Sequence, residues 1–549
     1  MNMKKLFAII ILSLAVAHFS FAQGNENIQP KSFSFSYSET PEIILPEFVT
    51  TAAEEADITD AKTGKLPKFS RSISTNITLA TAGKWTLLPT GDRIWKVQIT
   101  SAGALGLIPL FDKLYLPEGA FLHIYMPQHE EVIGAFTNDN TLEPRAFCAG
   151  LIHGETCIVE YFEPTSQRGK GIVSINQVGH AYRWVTHLKN TTNASASGSC
   201  QVNVACSEAA NWASQIRGVA RILVVADNAQ GYCSGSLVNN TQQNCMPYFL
   251  TAQHCSEGAT ANEYSQWVFY FNYQASLCAG TTGPENKTVN GCTKVADSYD
   301  NGGDTGSDFL LLQLSSTPPI SYNVYYNGWD KSNTAPTSGV CIHHPDGDIK
   351  KVSTYTQTGN STSWNGTVPD THWEVQWEAT TNGHGVTEAG SSGAPLFNNA
   401  GLIVGTLTGG NSFCNSPNDP DLFGKVSYGW VSNGATDQLR IKPWLDSNNT
   451  GVSNLTGTNA PCLNTSITDV LNSAAVKVNP NPSGGRFVLE FDTDEEKSIR
   501  VMDALGRIIM EEKVSERNFS LNLLNQNRGI YLLQVETKTG RLVQKLVIQ

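Results

Sequence analysis

The pattern of apolar and polar positions divides the chain into three strand-rich regions. In the first region, Trp95–Ile99 and Cys157–Tyr161 alternate apolar and polar residues, as a half-buried β-strand does. The same alternation returns near the C-terminal end in Phe487–Phe491 and Ile530–Val535. Between them, residues 200–455 form many short strand-like runs separated by glycine and polar residues. The pattern therefore predicts an all-β chain.

Two polar stretches mark the boundaries between these regions. Residues 190–199 are small and polar, which is typical of an exposed linker or a processing site. A second polar stretch, 453–473, follows the middle region. We therefore predict the following order: a leader over 1–22, a β-rich domain over 23–189, a middle domain of two small barrels over 190–455, a linker over 456–474, and a small β-sandwich over 475–549.

The first residues have the features of a secretory signal peptide. Lys4 and Lys5 precede the apolar run Leu6–Ala17, and Ser20-Phe21-Ala22 offers a small-residue cleavage site. A short membrane anchor is the alternative, but polar residues follow directly from Gln23 and no stop-transfer charge cluster appears. No later stretch reaches the roughly 18 apolar residues that a spanning helix needs, so we expect no membrane span.

Charge and cysteine content narrow the class of protein further. The 37 basic and 49 acidic residues give a net charge of −12, which disfavours nucleic acid as a partner. The 12 cysteines of an exported chain predict disulfide bonds, because the compartments outside the cytoplasm are oxidising. They form no paired CxxC knuckles, so structural zinc is not expected.

Three short strings in the middle region carry the residue types needed for acyl transfer. In chain order, His254 ends the strand-like run Phe249–His254, Asp308 precedes an apolar run, and Ser392 lies among glycines. A serine hydroxyl needs a base to attack an amide, a neutral imidazole can take its proton near pH 7, and a carboxylate holds the imidazole in one tautomer. Taken singly, each string is more often structural; together they predict a catalytic triad.

The glycines around the serine suggest an oxyanion site. They allow the backbone to turn so that the amides of Gly390 and Ser392 point at one oxygen. This chemistry requires no cofactor and no metal. The run Asp297, Asp300, Asp304, Asp308 lacks the alternate ligand spacing of an EF-hand, so we predict no calcium site there.

These strings give residues 197–446 a resemblance to bacterial lysyl endopeptidases, a branch of the chymotrypsin-like serine proteases. Supporting strings are Gly235–Thr241, Ile342–Pro345 and Gly385–Glu388. The resemblance implies a chymotrypsin-like double β-barrel. It also implies that His254 is the general base, Asp308 its orienting partner and Ser392 the nucleophile.

The resemblance also assigns a specificity pocket. Asp421 matches the family aspartate that faces a substrate lysine, although it could instead be an ordinary loop aspartate. The family carries a histidine before the Gly-Gly pair of the pocket wall, stacked on a tryptophan. Here Thr408 precedes Gly409, so we expect Trp364, which matches the tryptophan, to lack its stacking partner.

Disulfide pairing and activation follow in part from the same resemblance. The family pattern implies the bonds Cys200–Cys414, Cys206–Cys278 and Cys233–Cys255. Cys245, Cys292 and Cys341 have no counterpart, which leaves one of them free or paired with Cys462.

Position 391 is Ser, whereas trypsin-like zymogens use an Asp before the nucleophile to pair with a new terminal ammonium. We therefore expect another mode of activation, in which residues 23–189 act as a propeptide that blocks the cleft or assists folding. Cleavage after Lys189 would remove them.

The C-terminal region resembles the sorting domains of the type IX secretion system. The motifs are Val478–Gly485, Asp503–Arg507, Gly529-Ile530-Tyr531 and the terminal Gln544–Val547. The resemblance implies the type IX secretion machinery as a partner and a secreted or cell-surface location; an ordinary interaction or carbohydrate-binding sandwich is the alternative.

The hypothesis that unites these observations is a secreted serine endopeptidase that cleaves protein or peptide substrates after lysine. Two alternatives remain open. One is a trypsin-like protease of arginine or broader specificity. The other is a cell-surface adhesin or binding protein on a protease scaffold.

Overall fold

The computed structural model describes residues 28–34, 40–62, 66–183, 197–431, 434–462, 476–503, 508–537 and 540–549. The predicted signal peptide and Lys189 lie outside these residues. The chain forms two compact units, Met1–Cys462 and Leu463–Gln549. Within the described residues, no helix has the length and apolar character needed to cross a membrane.

The N-terminal segment, residues 28–183, is built on strands, with one α-helix, α1 (Thr50–Lys62), and short 3₁₀ turns. Its strands are β1 (Glu42–Ile44), β2 (Lys68–Thr78), β3 (Lys84–Leu87), β4 (Arg93–Thr100), β5 (Gly106–Tyr115), β6 (Phe121–Tyr125), β7 (Val132–Phe136), β8 (Arg145–Cys148), β9 (Ile152–His153), β10 (Thr156–Glu163) and β11 (Ile172–Ala181). One sheet has the order β1-β4-β10-β6-β7, with β3 beside β4. The alternating residues of β4 that face inwards, including Trp95, Val97 and Ile99, are fully buried in the core of this segment.

The first barrel of the central region is formed by β13 to β19. The elements up to its end are β12 (Val202–Asn203), α2 (Ala213–Gly218), β13 (Val219–Ala226), β14 (Ala229–Leu237), β15 (Tyr248–Ala252), α3 (Ala261–Tyr264), β16 (Val268–Phe271), β17 (Thr288–Asn290), β18 (Cys292–Asp297) and β19 (Phe309–Leu314). The barrel strands pair in the order β17-β16-β13-β14-β15-β19-β18. Gly291 joins the two end strands; its amide donates to the Trp267 carbonyl at 2.7 Å, and its carbonyl accepts the amide of Ser315, which follows β19, at 2.9 Å. The barrel is therefore nearly closed.

The second barrel follows in the chain. Its elements are β20 (Tyr325–Tyr326), β21 (Trp329–Asp330), β22 (Gly339–His343), β23 (Lys351–Tyr355), β24 (Asn360–Thr362), β25 (His372–Val375), β26 (Pro395–Asn398), β27 (Ile403–Gly410), β28 (Asp421–Lys425), α4 (Val426–Gly429), α5 (Lys442–Leu445), β29 (Asn454–Leu455) and β30 (Thr458–Asn459). The main order is β12-β23-β22-β26-β27-β28-β25-β24. The Glu378 amide donates to the Thr354 carbonyl at 2.8 Å, which links the chain after β25 back to β23. The all-β, chymotrypsin-like double-barrel fold expected from the sequence is confirmed.

The N-terminal segment and the first barrel share one continuous sheet. Strand β2 pairs with β11 on one side and with the start of β14 on the other. The rings of Phe69 and Tyr232 stack across this junction with centroids 4.1 Å apart. Leu66 and Phe69 belong to the same buried cluster as the first-barrel residues Cys233 and Cys255. The two parts therefore share a core as well as a sheet.

The polar stretch after the second barrel differs in part from the linker that we predicted over 456–474. Thr458 and Asn459 form β30, which pairs with β20. Cys462 is bonded to Cys245 of the first barrel. Residues 456–462 are thus held against the barrels by a strand pair and a disulfide bond. Their polar composition gives no sign of either contact.

The C-terminal unit is a small two-sheet sandwich, as predicted. Its strands are β31 (Val476–Asn479), β32 (Arg486–Phe491), β33 (Lys497–Met502), β34 (Ile508–Val514), β35 (Asn518–Asn522), β36 (Gly529–Thr537) and β37 (Gly540–Ile548). One sheet has the order β31-β32-β35 and the other β34-β33-β36-β37. Alternate residues such as Phe487, Leu489, Val501 and Leu533 fill the core between the sheets.

Candidate active site

His254 and Asp308 are brought together by two neighbouring strands of the first barrel. His254 follows the end of β15, and Asp308 precedes the start of β19, which pairs antiparallel with β15 so that Ala252 faces Phe309. The imidazole Nδ1 lies 2.7 Å from Asp308 Oδ2, and the His254 backbone amide donates to Asp308 Oδ1 at 2.9 Å. Both carboxylate oxygens therefore hold the histidine, one through its ring and one through its backbone.

The charge of Asp308 changes the proton affinity of the imidazole. Burial of His254 opposes protonation, but the charge of Asp308 and the hydrogen bond to it outweigh this effect and raise the pKa of His254. Asp308 itself is fully buried. A buried carboxylate on Nδ1 leaves Nε2 as the nitrogen that can exchange a proton with a nucleophile.

A second carboxylate, Asp300, holds Asp308 in an unusual backbone conformation. Asp308 has φ 51°, in the left-handed region that non-glycine residues rarely adopt. The Asp300 carboxylate accepts the Asp308 amide at 2.8 Å and the Gly303 amide at 3.0 Å. Burial, together with the charge of Asp308, raises the pKa of Asp300, and the two amide bonds oppose this rise. Asp300 is therefore a positioning residue for Asp308.

Ser392 lies on a glycine-bounded loop before β26 of the second barrel. Gly390 and Gly393 have φ 82° and 78°, so both positions require glycine. The Ser392 carbonyl accepts the Ser234 amide at 2.8 Å, and the Gly390 carbonyl accepts the Ser234 hydroxyl at 2.9 Å. A Cβ on Gly393 would lie 2.7 Å from the Ala252 nitrogen. The serine loop is thus anchored on the first barrel, beside the strand end that precedes His254.

The amides of Gly390 and Ser392 and the hydroxyl of Ser392 are the groups of the serine loop that would meet a substrate. Across the described ranges, no protein acceptor is hydrogen-bonded to the amide of Gly390 or of Ser392. The same ranges contain no hydrogen bond between the Ser392 hydroxyl and His254. Such bonds are often long without substrate and shorten when it binds.

Ser391, next to the nucleophile candidate, is part of the buried framework. Its hydroxyl lies 2.8 Å from Nδ1 of His343, and His343 Nε2 lies 3.0 Å from the Ser353 hydroxyl. Burial lowers the pKa of His343 to about 3, so this imidazole is neutral. The position before Ser392, where trypsin-like zymogens have an aspartate that pairs with a new terminal ammonium, is therefore part of a neutral hydrogen-bond network in this protein.

Asp421 lies fully buried at the start of β28. Its Oδ2 accepts hydrogen bonds from the Ser412 hydroxyl at 2.6 Å, the Thr387 hydroxyl at 2.7 Å and the Trp377 indole at 2.6 Å. Burial raises the pKa of Asp421, while these neutral donors act in the opposite direction. A Cβ on Gly410 would collide with the carboxylate, so glycine is required beside it.

Thr408 and Gly409 lie on β27, the strand next to β28, and Trp364 packs against Gly409 from the segment between β24 and β25. We call these three residues the Trp364 wall. A Cβ on Gly409 would lie 3.0 Å from the Trp364 ring, so the indole rests on the glycine. The Thr408 hydroxyl lies 3.0 Å from Nε2 of His372. The His372 ring is tilted 33° to Trp364 at a centroid distance of 6.1 Å, so another strand gives Trp364 an imidazole neighbour that the sequence did not lead us to expect.

Four disulfide bonds hold the central region. Three of them join the pairs named from the sequence: Cys200–Cys414, Cys206–Cys278 and Cys233–Cys255. The fourth joins Cys245 to Cys462, while Cys292 and Cys341 are buried free thiols. The Cys233–Cys255 bond connects β14 to the residue after His254.

Several residues of this arrangement were not identified from the sequence. Asp300 was visible only as one member of an aspartate run. Ser234, His372 and Ser412 carried no motif. Thr387 lies within the supporting string Gly385–Glu388 but was not identified as a partner of Asp421.

Comparison with known proteins found family models and relatives that are similar to this chain. Residues 194–424 match the family described as "Lysyl endopeptidase, C-terminal domain", and residues 477–549 match "Secretion system C-terminal sorting domain". The lysyl endopeptidase of Pseudomonas aeruginosa is 29% identical to this chain over 349 residues, which are 61% of this chain and 72% of the relative.

Three solved structures are similar at lower identity. A thermostable serine protease, AL20, from an extremophilic microorganism is 13% identical, with 39% of this chain and 92% of that chain covered and a TM-score of 0.29. Protease Anisep from Arthrobacter nicotinovorans is 15% identical, with coverages of 38% and 90% and a TM-score of 0.28. A Glu endopeptidase is 16% identical, with coverages of 42% and 93% and a TM-score of 0.26.

The type IX sorting domain makes this a secreted or cell-surface protein. From the family match and the related sequence, we conclude that the chain is a serine endopeptidase similar to the lysyl endopeptidases.

Proposed function

We propose that this serine endopeptidase cleaves polypeptides on the carboxyl side of lysine, with Ser392, His254 and Asp308 as its catalytic triad. The observation that carries the triad is the doubly held His254–Asp308 pair beside a serine loop that is anchored on the same barrel. In this mechanism His254 takes the Ser392 proton during attack on the substrate carbonyl and returns it to the leaving amine. Water then hydrolyses the acyl-enzyme with His254 again as base.

The amides of Gly390 and Ser392 are the donors that we assign to the oxyanion. Backbone donors fixed before the reaction stabilise the charge that develops on the tetrahedral intermediate. Removing one such donor typically costs about 10²–10³ in kcat. The chain's own residues supply every group that this mechanism uses.

Lysine specificity is supported by the surroundings of Asp421. Its hydrogen-bond donors are neutral, so the buried carboxylate gains an opposite charge only when a cation enters. A substrate ammonium would supply that charge and lower the pKa of Asp421. The nearby Thr408, Gly409 and Trp364 are the wall residues that we assign to substrate binding.

The decisive experiment is hydrolysis of matched reporters that end in Lys, Arg, Glu or Phe by the processed enzyme. We expect cleavage after Lys, loss of activity in Ser392→Ala, and a fall in kcat/KM in Asp421→Asn. Breaking a buried charge pair costs about 3 kcal/mol or more, which corresponds to roughly 150-fold. Asp419→Asn is the matched control, because Asp419 is an exposed loop carboxylate two residues away.

Each alternative function has its own result in this assay. Equal cleavage after Arg and Lys would retain the triad and replace lysine specificity by a trypsin-like one. A biological effect that survives Ser392→Ala, without hydrolysis of any reporter, would favour the adhesin.

Maturation by cleavage after Lys189 stays a prediction. It proposes that the enzyme removes residues 23–189 by its own lysine specificity. Mass spectrometry of secreted Lys189→Gln protein tests it, and maturation at Asn190 in that variant would contradict it.

A further inference from the structure

One edge of β14 runs from the N-terminal segment to the serine loop. At its start, Ala229, Gln230 and Gly231 pair with β2. Three residues further along the same strand, the Ser234 amide donates to the Ser392 carbonyl. Because a strand rises about 3.3 Å per residue, Gly231 lies about 10 Å along β14 from the residue that holds Ser392.

On this edge, β2 runs in the chain direction expected for the part of a substrate that follows the cleaved bond, the leaving-group side. The strands are antiparallel, with Lys68 opposite Gly231 and Arg71 opposite Ala229. The N-terminal end of β2 therefore lies nearer to Ser392, and its later residues lead away. A polypeptide beyond its scissile bond has the same direction, because its first residue lies at the nucleophile and the rest run outwards.

The side chains on this edge show which residues it accepts. Leu66 is buried and packs over Gly231, where a Cβ would lie 2.7 Å from Leu66 Cδ2 and 2.8 Å from the Pro67 carbonyl. Leu66 also belongs to the buried cluster of Cys233 and Cys255, the disulfide beside His254. The absence of a side chain at Gly231 thus creates a seat for an aliphatic residue.

A basic residue occupies the next position on the same side. Leu66 and Lys68 are two residues apart, and both line a cavity of about 210 Å³ with Asp227 and Glu257. Both acids are exposed on the rim of the cavity. The acidic side chains of Asp227 and Glu257 on the rim and the basic side chain of Lys68 on β2 are therefore complementary in charge.

We propose that the edge of β14 at Ala229–Gly231 is a docking surface for the leaving-group side of extended polypeptides. It takes an aliphatic residue followed two positions later by a basic one, and Leu66–Arg71 of the N-terminal segment occupy it as a substrate-like strand. This inference rests on the proposed protease function. Removal of the N-terminal segment opens the edge to substrates.

The first test measures binding separately from catalysis. A fluorescein-labelled peptide of residues 66–73, Leu-Pro-Lys-Phe-Ser-Arg-Ser-Ile, is titrated into Ser392→Ala protein that wild-type enzyme has processed in trans and from which that enzyme has been removed. This variant cannot cleave the peptide at Lys68. We expect saturable anisotropy and competition by the unlabelled peptide. Peptides with Leu66→Gly or Lys68→Glu should compete at least tenfold more weakly, and a scrambled peptide should not compete.

Variants of the rim test the charge contribution. Asp227→Asn with Glu257→Gln should weaken peptide binding several-fold and reduce its dependence on salt, because two surface charges are removed without a change in shape. No binding, or equal competition by all peptides, would overturn the docking surface.

A second test uses the active processed enzyme on extended substrates. Two peptides share the residues up to the cleaved lysine and continue as Leu-Ala-Lys or as Gly-Ala-Glu. We expect at least tenfold higher kcat/KM for the first, and equal values would contradict the proposal.

The outcomes separate this proposal from the proposed function. Peptide binding without any Ser392-dependent hydrolysis would refute the protease and leave the docking surface intact. Hydrolysis after lysine without peptide binding would refute only the docking surface.

Discussion

The contribution of Asp300 to catalysis can be tested by a single isosteric change, Asp300→Asn. The Asp300 carboxylate accepts two backbone amides, one from Asp308 and one from Gly303. An asparagine side chain has only one carbonyl oxygen, so one of these amides would face an NH₂ group instead. The change therefore releases one contact that keeps Asp308 at its positive φ, while the size of the side chain stays the same.

The expected loss follows from this count of hydrogen bonds. Leaving one buried amide without its acceptor costs about 2 kcal/mol. If the whole cost appears in the alignment of Asp308 with His254, kcat falls by about 30-fold. KM should change little, because the two amides that the Asp300 carboxylate accepts belong to Asp308 and Gly303 and not to residues that we assign to substrate binding.

The pH dependence gives a second readout with a definite sign. The negative charge of Asp300 contributes to the raised pKa of His254, after the larger contributions of Asp308 and Glu257, while burial acts in the opposite direction. Removing this charge lowers the pKa of His254. Because His254 must be neutral to act as base, the acid limb of the kcat/KM profile should move to lower pH in Asp300→Asn.

The assay is the full pH profile of lysine-reporter hydrolysis by the processed wild-type and variant enzymes. Asp304→Asn is the matched control, since Asp304 lies in the same loop as Asp300 but its side chain contacts Asn301 and, in the segment between β24 and β25, Asn365. An unchanged kcat and an unshifted acid limb in Asp300→Asn would refute the positioning role. An equal loss in Asp304→Asn would show that the loop as a whole is responsible.

Three further measurements test other parts of the structure. Lys350 is fully buried, its ammonium donates to the Ile216 carbonyl at 2.7 Å, and burial lowers its pKa to about 7. This lowered pKa corresponds to a cost of about 5 kcal/mol for folding with a charged Lys350, which applies in full below pH 7 and shrinks towards pH 10.5. In urea unfolding, Lys350→Met in the Ser392→Ala background should therefore raise stability at pH 6 and have little effect near pH 10. A pH-independent difference would contradict this. Replacing Cys245 and Cys462 by Ser should cost about 2–5 kcal/mol, because their bond closes a sequence separation of 217 residues, and an unchanged urea midpoint would argue against the bond. Thr408→Val should lower kcat/KM for lysine reporters by about 5- to 10-fold through loss of its bond to His372, with Thr408→Ser as the conservative control that keeps activity.

The sequence alone predicted the class of the fold and the chemistry of the candidate site. Alternation of apolar and polar residues predicted the strands of the N-terminal segment and of the C-terminal sandwich, because each strand carries its own burial pattern. Short strand-like runs separated by glycine and polar residues predicted the central barrels. The strings around His254, Asp308 and Ser392 were recognisable because the required residue types lie within short local motifs.

Contacts between distant parts of the chain were not predictable in the same way. The bond between Cys245 and Cys462 depends on the path of residues 456–462, which their polar composition predicted as a linker. His372 lies beside Trp364 but belongs to β25. The family resemblance places such a histidine at position 408, where this chain has a threonine, and so it could not identify His372.

The sequence by itself determined that this is an exported, strand-rich chain carrying the groups for acyl transfer, since these properties reside in composition and short motifs. Only the tertiary structure decided that Asp300 rather than its neighbouring aspartates holds Asp308, and that β2 lies on the edge of β14 beside the serine loop. The physical reason is that many aspartates and many strands have equivalent local chemistry. Strand register and the packing of a shared core select which of them meet.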